Sequence, residues 1–275
     1  MNEVLETMTE QEKLILLTND DGIQSPGIAA AARSLRELGR LVVAAPREQQ
    51  TSAGRSLPVT TDGKIERVTL DSLEDVEAYA VGGTPAQAVL HALLEILPRR
   101  PDLVVSGINY GENVGSGVTI SGTVGAAMEA AALGVPALAV SLQIFSEDWY
   151  AYHDLDFSVA ADFTARFARA MLSRSLPADV DLLKVDIPAD ATPQTPWRVT
   201  RQSRQRYYMP YLIREGGWQE RGFVSARVQV DETSLEPDSD IYALVFDRVI
   251  SVTPISIDLT SRTDFTTLEM LFEGT

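Results

Sequence analysis

Residues 14–22 read Leu-Ile-Leu-Leu-Thr-Asn-Asp-Asp-Gly, four consecutive apolar residues running through Thr18 into two adjacent carboxylates and a glycine. An apolar run of that kind is what a parallel strand buried on both faces shows. Asp20 and Asp21 therefore stand where such a strand ends, on the edge at which open α/β sheets bind ligands. Removing even one unpaired carboxylate from water costs on the order of several kcal/mol, so the pair needs compensation. A hard cation is the simplest candidate.

Two further polar segments follow expected buried strands: residues 46–52, which end in Thr51-Ser52, and residues 106–111, which contain Asn109. In a parallel sheet such ends lie along one edge, so the loops can converge. Together they offer two carboxylates, a hydroxyl from Thr51 or Ser52, and the amide oxygen of Asn109. These are hard oxygen donors suited to Mg²⁺, Mn²⁺ or Ca²⁺. His91 and His153 lie outside these loops, which disfavours a zinc or histidine-based site. A glycine-rich stretch, residues 115–123, runs into an expected helix and would present free N–H groups to an anion. Ser121 and Thr123 could add hydroxyl donors. A dipole contribution of roughly 0.3–2 kcal/mol is too weak to hold a phosphate dianion in so acidic a chain, so a cation must supply most of the attraction. A cation beside an anion pocket implies phosphate-ester hydrolysis by an activated water, with Asp20 as the candidate proton acceptor.

Each piece alone has a plainer explanation. Asn-Asp-Asp-Gly suits a turn, Asn109 can cap one, glycine-rich stretches are often only loops, and Thr51 can be a surface hydroxyl. His91 inside a helix reads as packing. His153, in the aromatic segment 149–154, is a candidate pocket residue. Arg201, Arg204 and Arg206 read first as partners of the surplus acids. Four such segments at the expected element ends are harder to dismiss than any one.

The elements that must position these residues alternate strand and helix. Strands are expected over 13–18, 40–45, 77–81, 102–106 and 136–142, with short irregular strands in 57–70. Ser25-Pro26 opens a helix with its N-cap and first-turn proline, and Ile28, Ala31, Ala32 and Leu35 give its apolar face. Thr84-Pro85-Ala86-Gln87 is a capping box that opens a helix running to about residue 97. Helices are also expected over 121–133, 154–174 and 263–272. The pattern implies a mostly parallel, helix-covered sheet. Residues 189–240 read as an extension or hairpin arm, and 242–254 as strand.

Composition narrows the classes. The chain has 275 residues, 45% of them hydrophobic, so it can bury a sizeable core. A net charge of −16 disfavours long nucleic acids, which need a basic face. No stretch approaches the roughly 18 apolar residues of a membrane span. The acidic, polar start lacks the pattern of a signal peptide, so the expected location is cytoplasmic. There is no cysteine, which excludes disulfides and thiolate metal sites.

Taken together, residues 15–22 (ILLTNDDG), 25–27 (SPG), 42–46 with the hydroxyl loop after them, 83–85 (GTP), 106–113 (SGINYGEN), 121–129 (SGTVGAAME), 136–142 (PALAVSL) and 249–259 resemble the SurE family, the survival-protein-E nucleotidases. The likeness spans about residues 13–190 and resumes near 240. It implies a Rossmann-like three-layer α/β sandwich with a β-hairpin arm and a C-terminal extension. In domain terms it implies a tail over 1–12 and a single domain over 13–275, with the arm at about 189–240 and an exchanged segment at about 241–275.

The resemblance further implies a phosphatase that takes one divalent cation per subunit (Mg²⁺, Mn²⁺ or Ca²⁺). Its substrates would be nucleoside 5'- or 3'-monophosphates, and its assembly a homodimer or homotetramer. Metal ligands fall on Asp20, Asp21, Asn109 and one hydroxyl, Thr51 or Ser52. Phosphate contacts fall on Ser121, Gly122 and Thr123, with Asn19, Asn109 and Asn113 as further candidates. Thr51 stands where the family has serine, Ser116-Gly117 where it usually has acids, and Ile120 where it usually has tyrosine. Two rival readings remain open on the residues alone: a non-catalytic nucleotide or phosphate sensor, and a nucleotide-sugar transferase, which also uses an acidic metal pair.

Overall fold

Leu14–Thr18 (β1) is an inner strand, fourth in a nine-stranded sheet, buried along its whole length as its apolar run requires. The structure is a computed structural model and describes residues 12–145 and 155–273. The aromatic segment with Trp149 and His153, and nearly all of the expected tail at 1–12, lie outside the described residues.

From β1 the chain passes through Pro26–Leu35 (α1), Arg40–Pro46 (β2), Ile65–Val68 (β3), Glu77–Val81 (β4) and Pro85–His91 (α2). It continues through Leu103–Tyr110 (β5), Gly122–Ala132 (α3), Ala137–Leu142 (β6), Ser158–Ser173 (α4) and Leu182–Ile187 (β7). Trp197–Val199 (β8), Tyr208–Arg214 (β9), Gly222–Val228 (β10), Asp240–Val245 (α5), Ile250–Ile255 (β11) and Phe265–Met270 (α6) complete it.

The strand order is β3-β4-β2-β1-β5-β6-β7-β11-β8, and only the β3–β4 and β7–β11 pairs are antiparallel. Chain order leaves β1 in one direction through β2 and β4, then resumes on its other side at β5. The β1/β5 boundary is therefore the topological switch point, where crevices open at strand C-termini. One apolar cluster packs α1 and α4 on one face of the sheet, and a second packs α2 and α3 on the other. This is the Rossmann-like three-layer arrangement. β9 and β10 form a separate antiparallel hairpin.

The caps form as the sequence dictates. Ser25 accepts from Ile28 N–H at the head of α1, and Thr84 and Gln87 make both bonds of the capping box at α2. Three assignments change. Within 57–70 only Ile65–Val68 pairs as a strand, antiparallel to the sheet edge. β5 runs on to Tyr110, past the expected end at 106, with a register shift against β6 between Ser106 and Asn109. Of the strand expected over 242–254, the later part forms β11, but residues 242–245 are helical, the end of α5. Ser239 caps this helix by accepting from Tyr242 N–H, and Ile241 and Leu244 share a buried helical face.

Candidate active site

β1 ends in the turn that carries Asp20 and Asp21. Gly22 has φ +92°, a conformation glycine adopts freely, and Ile23 N–H donates to Pro46 O at 2.9 Å, which ties the turn to the end of β2. Asn19 braces the same turn from inside. Its Nδ2 donates to Gly22 O at 3.0 Å and to Ser25 Oγ at 2.7 Å. Asn19 is fully buried and does not line the cavity described below.

The two aspartates are only 6% and 7% exposed. Thr123 Oγ1 donates to Asp20 Oδ1 at 2.5 Å, and the N–H groups of Gly122 and Thr123 also turn to this carboxylate. Tyr110 N–H donates to Asp21 Oδ2 at 2.9 Å, and Gln49 Nε2 approaches Asp21 Oδ1 at 3.4 Å. Burial raises the pKa of Asp20 despite these bonds. Burial and then the neighbouring charge of Asp20 push Asp21 well above the ordinary carboxylate range. The donors named here are neutral, and the strain of two adjacent buried acids is what a bound cation would relieve.

Both aspartates open into a cavity of about 300 Å³. Gln49, Thr51 and Ser52 from the loop after β2 line it, with Asn109 and Asn113 from β5 and the loop after it. Gln50 N–H donates to Asp20 O at 2.7 Å, which pins the hydroxyl loop beside the pair. Asn109 Nδ2 donates to Gly111 O at 2.5 Å, leaving Oδ1 as the acceptor end. The donor set fits a hard divalent cation: two carboxylates, one amide oxygen and hydroxyls. Among the described residues no site gathers three or more acidic or histidine side chains, so such an ion would rest on two charges and neutral oxygens.

Ser121 also lines the cavity and caps α3 by accepting from Val124 N–H at 3.1 Å, which leaves its proton available to a ligand. The expected phosphate donors thus divide. Ser121 faces the cavity, while the Gly122 and Thr123 donors are directed at Asp20. A Cβ on Gly122 would lie 2.7 Å from both Cβ and Oδ2 of Asp20, so only glycine allows this approach.

The opposite wall comes from the arm. Arg206, Tyr208, Pro210, Val224 and Ala226 line it, and Glu112 stands between the two sides. Burial raises the Glu112 pKa although Tyr207 and Tyr208 hydrogen-bond to it. Arg201 does pair with an acid, Asp238 Oδ2 at 2.8 Å, but Arg206 sits on the cavity wall with Nε donating to Tyr208 O at 3.2 Å. Nothing local in the sequence marks Tyr208 or Val224 as cavity residues. Their place follows from long-range folding of the arm.

The family model described as Survival protein SurE matches residues 15–209. The chain belongs to the SurE family. A SurE relative from Thermococcus gammatolerans, named 5'-nucleotidase SurE, is 41% identical over 266 residues, covering 94% of this chain and 96% of its own length. Another of the same name, from Methanocella arvoryzae, is 41% identical over 256 residues, covering 90% and 93%. The crystal structure of the SurE protein from Aquifex aeolicus aligns with a TM-score of 0.75 at 32% identity, covering 94% of this chain and 99% of that one.

Proposed function

We propose that this chain is a divalent-cation-dependent phosphatase that hydrolyses nucleoside 5'- or 3'-monophosphates to nucleoside and phosphate. The observation that carries the reading is the pair of adjacent buried carboxylates, Asp20 and Asp21, opening into a cavity with neutral oxygen donors around them. The relatives' name, 5'-nucleotidase SurE, supports the same reaction class, a phosphoric monoester hydrolase.

In this reading Asp20, Asp21, Asn109 and the hydroxyl of Thr51 or Ser52 hold one Mg²⁺, Mn²⁺ or Ca²⁺ per subunit. A bound cation supplies charge that polarises a phosphoryl oxygen and acidifies a water. Ser121 donates its hydroxyl to the phosphate, whereas Gly122 and Thr123 act through Asp20, the carboxylate their donors hold, and Asn109 acts through its Oδ1. Asn113 and Ser52 extend the polar wall, and Asn19 acts by holding the turn. Asp20 is the candidate proton acceptor. Tyr208 and Val224 on the arm wall offer apolar surface to the nucleoside.

A soluble, cytoplasmic enzyme fits this substrate, and among the described residues no helix is long and apolar enough to cross a membrane. A homodimer or homotetramer, with the arm and C-terminal segment joining subunits, would cover apolar side chains that are otherwise exposed, such as Trp218 at 94% and Leu259 at 83%.

The test is phosphate release from a panel of nucleoside monophosphates with Mn²⁺ or Mg²⁺, with and without chelator, beside Asp20→Asn. Cation-stimulated release lost in the variant is the expected result. Tight nucleotide binding without release would replace the reading with a sensor, and sugar transfer without phosphomonoester cleavage would replace it with a transferase.

A further inference from the structure

Behind the cavity lies a charged cluster that the reading above does not use. Lys184, Asp186 and Asp240 are all fully buried. Lys184 and Asp186 stand two apart on β7 and so share one face of the sheet. Asp240 is the first residue of α5. Lys184 Nζ pairs with Asp186 Oδ2 and lies 3.1 Å from Asp240 Oδ2. Burial alone would lower the lysine's pKa, but the two carboxylates outweigh it and raise it, so the ammonium stays charged.

The carboxylates also accept from backbone N–H groups far away in sequence. Asp186 Oδ1 accepts from Asn113 N–H at 2.7 Å. Asp240 Oδ2 accepts from Gly115 N–H at 3.0 Å, and its Oδ1 from Ser203 N–H at 2.9 Å. Asn113 and Gly115 belong to the loop after β5 that lines the aspartate side of the cavity. Ser203 belongs to the root of the arm, three residues before Arg206 and five before Tyr208 on the far wall. Asp240 is therefore bonded to both walls at once. Ser116 N–H reinforces the join by donating to Gln205 O at 2.8 Å, and Val114 packs with Tyr207 and Ile241 beside it. An apolar residue at 240 would strand the Gly115 and Ser203 N–H groups and the Ile241 N–H that also donates to Asp240 Oδ1, and a neutral amide presents one acceptor oxygen where two are used.

We propose that Asp240, neutralised by Lys184, is a positioning residue that holds the arm-borne wall in register with the aspartate-borne wall and so governs recognition of the nucleoside part of the substrate. The inference rests on the phosphatase reading. Asp20, Asp21 and Ser121, which meet cation and phosphate in that reading, make no bond to Asp240 or Lys184, whereas the nucleoside must bridge to the arm that Asp240 ties through Ser203.

The experiment compares the full-length parent with Asp240→Asn in saturating Mn²⁺, reading KM and kcat for AMP and the inhibition constant of inorganic phosphate. The amide leaves the Lys184–Asp186 pair intact and loses one of the two backbone ties. Loss of a tie of this kind should raise the KM for AMP about fivefold with kcat nearly constant, and leave phosphate inhibition within about twofold. Equal weakening of AMP and phosphate, or a fall in kcat alone beside a lowered Tm, would make the cluster a packing element and overturn the inference. If Asp240→Asn does not fold, Asp240→Glu, which keeps the charge beside Lys184 but shifts both acceptor oxygens away from Gly115 and Ser203, decides by the same criteria. A parent that releases no phosphate from AMP overturns the phosphatase reading itself, and the parent control reads that separately.

Discussion

The two walls of the cavity are built in opposite ways. The aspartate wall consists of strand ends at the centre of a nine-stranded sheet, and Asp20, Asp21 and Asn109 are all at most 9% exposed. The arm wall rests on a two-stranded hairpin, with Val224 75% and Leu212 61% exposed. Packing on both faces fixes the first wall to a single arrangement, which suits groups that must meet a phosphoryl centre within fractions of an ångström. The second wall is held by one hydrogen-bonded pair of strands and by its root, which suits selection of substrate and contact with another subunit. On the proposed function, chemistry and selectivity fall on regions with different sources of order.

The sharpest way to break this comparison is to alter the rigid wall. Asp20→Asn should reduce phosphate release by about two to three orders of magnitude while leaving the melting temperature of the cation-free protein unchanged or higher, because a buried charge is removed. Turnover assays and thermal melts in chelator read the two effects. Next in size is Gly122→Ala. Its Cβ must displace the Asp20 side chain, and a shift of that kind should cost about tenfold to a hundredfold in kcat with only a few degrees of Tm.

Altering the arm wall should give the opposite signature. Tyr208→Ala should raise the KM for a nucleoside monophosphate about tenfold and leave kcat within about twofold, as steady-state kinetics would read. A kcat loss equal to that of Gly122→Ala would erase the distinction between the walls.

The smallest expected effect concerns how β1 is anchored at its far end. Asp102 Oδ2 accepts from Leu14 N–H at 2.8 Å and from Arg99 at 2.9 Å. Burial alone would raise the Asp102 pKa, but these bonds outweigh it and hold it below the usual carboxylate value. A depressed folded-state pKa contributes stability that is present above the unfolded-state value and lost as pH falls through the folded-state one. Asp102→Asn should therefore cost about 1 kcal/mol near neutral pH and nothing in strong acid, as denaturant melts at the two pH values would report.

Much of the aspartate wall was legible in the sequence. Residues 14–17 signal burial on both faces, Ser25-Pro26 and the Thr84 capping box signal helix starts, and the acidic pair falls at the strand end those signals predict. These are local patterns, encoded within a few residues of one another. The extension of β5 through Asn109 was not legible, because glycine and asparagine read as a loop and strand pairing with β6 overrides that preference. Residues 242–245 fall within the strand expected over 242–254 because so short an apolar stretch does not settle a period, and the Ser239 cap turns them into helix. The family resemblance suggests Thr123 as a phosphate contact, and its hydroxyl bonds to Asp20, a partner 103 residues away. The arm wall and the ties to Asp240 join residues equally remote in sequence, such as Gly115 and Asp240, 125 apart. No periodicity carries such contacts.

The central claim is that Asp20 and Asp21 together hold a divalent cation. Calorimetric titration of the cation-free protein with Mn²⁺, beside Asp20→Asn and Asp21→Asn, tests it most directly. The account predicts one saturable site per chain in the parent and loss of that site in each variant. Binding of equal stoichiometry and affinity in all three proteins, or none in the folded parent, would contradict it.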